Sequence, residues 1–200
     1  MSSAVIAQPF VSFGDNALVS AYLEGHEDAF EILVARYQDK LVNYINTLIH
    51  DYDLSVDLAQ EAFIRVYKNA DRYEGKYQFS TWIYRIATNL AIDEIRRRER
   101  KGRFFLYNVM AIFQKDDKVF PLPDTRHCPE RSLGRLERLE KLRCAIDSLP
   151  EKYRLPFILK EVQELSYDDT SKVLNISLGT VKSRIHSAKM LLREKLAGVL

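Results

Sequence analysis

The side chains with the clearest chemistry lie near the C-terminal end, where Thr180, Lys182, Ser183, Arg184, His186 and Lys189 share one helical pattern. Hydroxyl, ammonium, guanidinium and imidazole groups donate to phosphate oxygens and base edges, so this set has the chemistry of a DNA contact surface. Val181, Ile185, Ala188 and Leu192 recur at helical spacing and leave those polar groups on the other faces. The alternative is an amphipathic hairpin with a solvated basic side. A second set, Arg85, Asn89, Asp93 and Arg96, repeats at i, i+4, i+8 and i+11 along another helix, with Arg97 beside it. Tyr73 and Tyr77 just ahead of it have rings able to stack on unpaired bases. A third set, Asp57, Gln60, Glu61 and Ile64, forms one stripe of a third helical pattern. It reads either as a solvated acidic face or, because Ile64 is out of place there, as a surface that docks a protein partner.

No catalytic centre accompanies these groups. The sequence has no Gly-rich phosphate loop, no HExxH and no GxSxG, so neither enzymatic activity nor a cofactor or metal is expected. Cys128 and Cys144 lack metal-ligand spacing and read as ordinary reduced thiols. No apolar run approaches the ~20 residues of a membrane span, which predicts a cytoplasmic protein without membrane insertion. Net charge is +2 over 200 residues, but its distribution is uneven. Residues 1–100 carry 11 Lys+Arg against 15 Asp+Glu, a balance of −4, whereas residues 135–200 carry 13 against 9, a balance of +4. The basic end therefore coincides with the first chemical set.

The elements that must position these groups are helical almost throughout. The pattern predicts a short helix from Asn16 to Glu24 closed by Gly25, then a long one with Phe30, Leu33, Val34, Tyr37, Leu41, Tyr44, Ile45 and Leu48 on its apolar side. Ser55 is placed to cap the next helix, with Ala59, Ala62, Phe63, Val66 and Tyr67 as its core stripe. A polar, aromatic loop (71–78) leads into a helix from Phe79 through about Arg98, with Trp82, Ile83, Ile86, Ala87 and Leu90 buried. Periodicity then fades, and Pro121, Pro123 and Pro129 break any helix, so 101–134 reads as a linker. Its apolar stretch 104–113 is expected to pack on a domain or a partner. Helices resume with Leu136 to Leu149 and after Pro150, with Pro156 as a kink or a true start. Two more follow, one capped by Ser166 with Asp169 and one capped by Ser177, joined at Asn175 in a left-handed turn. The fold class is all-α: two small helical domains, 1–100 and 135–200, joined by a partly irregular linker.

In order, DLAQEAFIRVYKN, YEGKYQFSTWIYRIATNLAIDEIRRR and LPEKYRLPFILKEVQELSYDDTSKVLNISLGTVKSRIHSAKMLLREKL resemble the signature segments of extracytoplasmic-function sigma factors of bacterial RNA polymerase. The resemblance implies a sigma-2-like bundle followed by a sigma-4-like helix-turn-helix domain. It implies that Asp57, Gln60, Glu61 and Ile64 dock on the clamp coiled coil of core polymerase, with the flap as a further contact. It implies that Tyr73, Lys76, Tyr77, Arg85, Asn89, Asp93, Arg96 and Arg97 read and open the minus-ten element. Thr180, Lys182, Ser183, Arg184, His186 and Lys189 would then read the minus-thirty-five element. An anti-sigma factor is the expected regulator. Thr170 and Ser171 stand where the family usually has an apolar residue and Ala, Asn175 where it usually has Gly, and Ser187 where it often has Arg. The competing function is a free-standing helix-turn-helix regulator that binds duplex DNA alone.

Overall fold

The computed structural model of the chain describes residues 10, 12–73, 75, 77–113 and 135–197, with backbone alone for 102–113 and 135–139. Among the described residues there are eight α-helices and no strand, which bears out the all-α expectation. Two compact units divide the chain at residues 95 and 96.

The first unit holds α1 (Asp15–Leu23), α2 (Glu27–Ile49), α3 (Tyr52–Lys68), a 3-10 turn (Ala70–Arg72) and the start of α4 (Phe79–Phe113). Gly25 follows α1 at φ +101°, a left-handed angle that side-chain-bearing residues rarely adopt, and the chain reverses there. α3 starts earlier than the sequence suggested. Asp51 rather than Ser55 is its cap, with Oδ1 accepting from the Leu54 N–H at 3.1 Å. Ser55 is buried inside the first turn and donates its hydroxyl to the Asp51 carbonyl at 2.6 Å. Both residue types cap well, and cap preference alone does not choose between them. α4 likewise runs past Arg98 to Phe113. Between them Gly102 is the weakest helix former, a cost of about 1 kcal/mol, and the first proline after it is Pro121.

The core of this unit is formed by Leu33, Leu41, Tyr44 and Ile45 of α2, Val66 of α3, and Phe79 and Ile83 of α4, all essentially without solvent contact. One polar chain crosses it. The Tyr44 hydroxyl lies 2.8 Å from Thr88 Oγ1, and the Thr88 hydroxyl donates to the Tyr84 carbonyl at 2.6 Å. Since Thr88 has a single hydroxyl hydrogen, Tyr44 is the donor of the first bond. This ties α4 to α2 at the level of Asn89. Several sequence expectations of burial fail locally: Tyr67 is 52% exposed, packing its ring 5.5 Å from those of Tyr22 and Phe30, and Trp82 and Ile86 are only half-buried.

The second unit contains α5 (Arg135–Asp147), α6 (Glu151–Phe157), a π-helical turn (Ile158–Val162), α7 (Tyr167–Leu174) and α8 (Leu178–Leu196). Ala145, Leu149, Ala188 and Leu192 form one buried cluster, flanked by Ile146, Tyr153 and Phe157. Pro156 lies inside α6, and the helix widens directly after it, where the Gln163 N–H reaches back to the Ile158 carbonyl at 3.0 Å. Proline withholds one i→i−4 donor, and the wider turn is the local response to a disturbed ladder. Thr170 is fully buried, but its hydroxyl donates to the Ser166 carbonyl at 2.8 Å, so the polar substitution leaves no orphaned group.

Cys144 is disulfide-bonded, not a reduced thiol as the sequence suggested. A disulfide requires proximity of two Cα atoms, which carries no fixed sequence spacing. The other cysteine, Cys128, lies outside the described residues, as do Lys76 and residues 114–134 of the expected linker.

Candidate functional site

The helix-turn-helix is set by its caps. Ser166 Oγ accepts from the Asp169 N–H at 2.9 Å, and its hydroxyl donates to the Asp169 carboxylate at 2.5 Å. α7 ends at Asn175 with φ 52° and ψ 47°, the left-handed turn expected of it. Ser177 then caps α8, accepting from the Thr180 N–H at 3.1 Å. Burial of Val181, Ile185, Ala188 and Leu192 fixes the rotation of α8. Lys182, Ser183 and His186 are consequently exposed, and Thr180 and Arg184 half-buried beside them. Lys189 stands apart from the set: its Nζ lies 3.0 Å from Glu161 Oε1 in the π turn, an ion pair between partly exposed groups. A phosphate contact by Lys189 would have to share or displace that carboxylate.

On α4, Arg85, Asn89, Asp93, Arg96 and Arg97 are all exposed, while Phe79, Ile83, Ala87, Leu90 and Ala91 are buried. Tyr73 lies at the head of this face, its ring stacked on Trp82 at 5.0 Å and 24°. The indole was expected in the core; it stands instead at the edge of the core, with one aromatic partner on the polar side. The Tyr73 hydroxyl lies 2.7 Å from Asn16 Oδ1 and 2.5 Å from the Tyr77 carbonyl. Partial burial, reinforced by the Asp15 carboxylate, pushes its pKa up to about 12, so it remains a neutral donor at physiological pH. Tyr77 is 40% exposed.

The third set occupies α3. Asp57, Gln60 and Ile64 are exposed, Ile64 at 46%, while the Glu61 carboxylate accepts from Arg65 Nε at 2.8 Å. Sequence spacing did not disclose what adjoins this stripe. Val34 and Val42 of α2 with Ala59 and Phe63 of α3 wall an open groove of 410 Å³, and Gln60 and Ile64 stand on its lip. Val34 had been counted as core. Its half-burial was concealed because a helix pattern alone does not say where the neighbouring helix ends its contact.

The family model for Sigma-70 region 2 matches residues 33–101, and that for Sigma-70, region 4 matches residues 139–192. The chain is 38% identical over 173 residues to the ECF RNA polymerase sigma factor SigW of Bacillus subtilis, spanning 86% of this chain and 91% of that protein. It is 32% identical over 175 residues to the ECF RNA polymerase sigma-E factor of Escherichia coli K12, spanning 88% and 90%. Its fold is shared with CnrH, solved in complex with the cytosolic domain of CnrY, at a TM-score of 0.67 and 21% identity over 93% of this chain and 99% of that one. The sigma factor RpoE of Bartonella quintana, solved with the anti-sigma factor NepR, gives 0.62 at 22% identity over 86% and 98%.

The chain belongs to the ECF RNA polymerase sigma factors. It is a promoter-specific transcription initiation factor, acting with core polymerase on promoter DNA, rather than a free-standing helix-turn-helix regulator. Sigma factors are not a family of catalytic enzymes. No helix among the described residues is long and apolar enough to cross a membrane.

Proposed function

We propose that the three surfaces divide the work of initiation. Asp57, Gln60, Glu61 and Ile64 dock on the clamp coiled coil of core polymerase. Tyr73, Lys76, Tyr77, Arg85, Asn89, Asp93, Arg96 and Arg97 capture and hold the non-template strand of the minus-ten element. Thr180, Lys182, Ser183, Arg184, His186 and Lys189 read the minus-thirty-five duplex. The corresponding parts of the chain are residues 1–100, the linker 101–134, and 135–200, with the flap contacting the last of these. Strand opening needs no hydrolysis: bases that open thermally are trapped by stacking worth about 1–3 kcal/mol per base. An anti-sigma factor that covers the DNA-reading surfaces would supply control; RpoE of Bartonella quintana, which shares the fold, is solved with the anti-sigma factor NepR. The protein then acts in the cytoplasm, where core polymerase is found.

The observation that carries the docking assignment is the groove beside Ile64. An acidic stripe alone is explained by solvation, but an apolar groove with an exposed isoleucine on its lip is suited to a protein partner. Replacing Gln60 and Ile64 together by Ala should weaken core binding at least tenfold in a fluorescence titration and leave duplex binding by residues 135–200 unchanged. Unchanged core affinity would remove the docking surface from this face.

A further inference from the structure

The region 2 match begins at residue 33, yet the strand-capturing aromatics are fastened to a residue of α1, well ahead of it. Asn16 lies in the first turn of α1. Its Oδ1 is 2.7 Å from the Tyr73 hydroxyl and accepts from the backbone N–H of Phe79 at 3.3 Å. Phe79 opens α4, and the first N–H groups of a helix have no acceptor within their own helix. Asn16 therefore accepts from the start of α4 and, with the same oxygen, shares the single Tyr73 hydroxyl hydrogen with the Tyr77 carbonyl. The neighbouring Asp15 anchors α1 itself, with Arg36 Nη1 at 2.8 Å from Oδ1 and the Tyr37 hydroxyl at 2.5 Å from Oδ2. Tyr37 in turn packs edge-on against Phe79 at 5.3 Å. The exposed side-chain oxygen is thus carried on a partly buried frame, facing the two groups whose relative position sets the Tyr73 ring against Trp82.

Resting on the minus-ten reading of this surface, we propose that Asn16 is a positioning residue for strand capture: through one oxygen it fixes Tyr73 relative to the start of α4 before DNA arrives. Without that acceptor, the Tyr73 hydroxyl keeps only the Tyr77 carbonyl, at 2.5 Å, and one of the two contacts that fix the ring against Trp82 is lost. Ordering the ring would then be charged against binding of the strand.

The test uses holoenzyme reconstituted from the full chain and sigma-free core polymerase. The probe is a fluorescent single-stranded oligonucleotide with the non-template sequence of a promoter that the wild-type holoenzyme selects from a random library. Asn16→Leu keeps the size of the side chain and removes the acceptor; it is expected to weaken oligonucleotide binding about tenfold, the worth of two modest hydrogen bonds. Core affinity and binding of a minus-thirty-five duplex should stay within about twofold. Asn16→Asp retains an acceptor and should recover most of the loss. In a Tyr73→Phe background the Asn16→Leu change should cost less than about threefold, because the hydroxyl it holds is already gone. The inference is overturned if Asn16→Leu leaves oligonucleotide binding unchanged while Arg85→Ala and Asn89→Ala weaken it. It is equally overturned if core affinity falls as far as oligonucleotide affinity, since Asn16 would then serve only general folding. If Arg85→Ala and Asn89→Ala also have no effect, the minus-ten reading itself fails, and this inference with it.

Discussion

The bond between Tyr44 and Thr88 offers the sharpest quantitative prediction, because each group has one role and neither meets solvent. Tyr44→Phe removes a donor and leaves Thr88 Oγ1 with its own bond to the Tyr84 carbonyl intact, so the expected loss is about 1 kcal/mol. Thr88→Val removes the acceptor and strands the Tyr44 hydroxyl in a closed apolar site, at about 2–3 kcal/mol. The Tyr84 carbonyl keeps its helical N–H partner in both cases. The double variant replaces both polar groups by apolar ones of similar shape and should cost no more than about 2 kcal/mol, a coupling of about 1–2 kcal/mol between the two sites. The chain contains one tryptophan, Trp82, which sits at the head of α4 against Tyr73. Its fluorescence in a urea titration therefore follows the first unit without interference from the second. Additive losses within about 0.5 kcal/mol, or a Thr88→Val loss no larger than that of Tyr44→Phe, would refute the donor assignment and the tie between α2 and α4.

Other consequences follow from the same geometry. Lys182→Ala should lower the slope of log affinity against log salt for minus-thirty-five duplex by about 1, whereas Lys189→Ala should lower it by less, because Glu161 already neutralises Lys189. Ile185→Ala empties part of the closed core under α8 and should destabilise the second unit by about 2–5 kcal/mol in a circular-dichroism melt. Burial raises the pKa values of Tyr73 and Tyr84 to about 12 from an ordinary 10. The neutral phenols thus stabilise the fold fully below pH 10, and that contribution is lost as pH rises from 10 towards 12. The Trp82 transition should move to lower urea over that window, less so in Tyr73→Phe.

Helix count, helix type and the caps at Ser166 and Ser177 were readable because each depends on local chemistry: apolar spacing, a hydroxyl ahead of a helix, an Asn able to turn left-handed. The exposed set on α8 was readable for the same reason, since Val181, Ile185, Ala188 and Leu192 leave a single direction for Lys182 and His186. What failed was decided by choices between similar residues or by neighbours distant in sequence. Asp51 and Ser55 are both good caps, and spacing does not rank them. Gly102 weakens a helix but does not end one, so α4 continued past the expected linker boundary. The groove at Ile64 needed the position of α2, and the hold of Asn16 on Tyr73 joins residues 57 apart in sequence. The ion pair of Lys189 with Glu161 could not be seen from α8 alone, because its partner sits in a π turn that no periodicity announced.

The most direct test of the central claim is transcription itself. The purified chain is added to sigma-free core polymerase with a random promoter library, and initiated RNA is sequenced. Transcripts that start downstream of a shared pair of minus-thirty-five and minus-ten elements, absent when either core or chain is omitted, are the predicted result. No initiated RNA, together with tight duplex binding by the chain without core, would contradict the assignment of this protein as the promoter-reading subunit of polymerase.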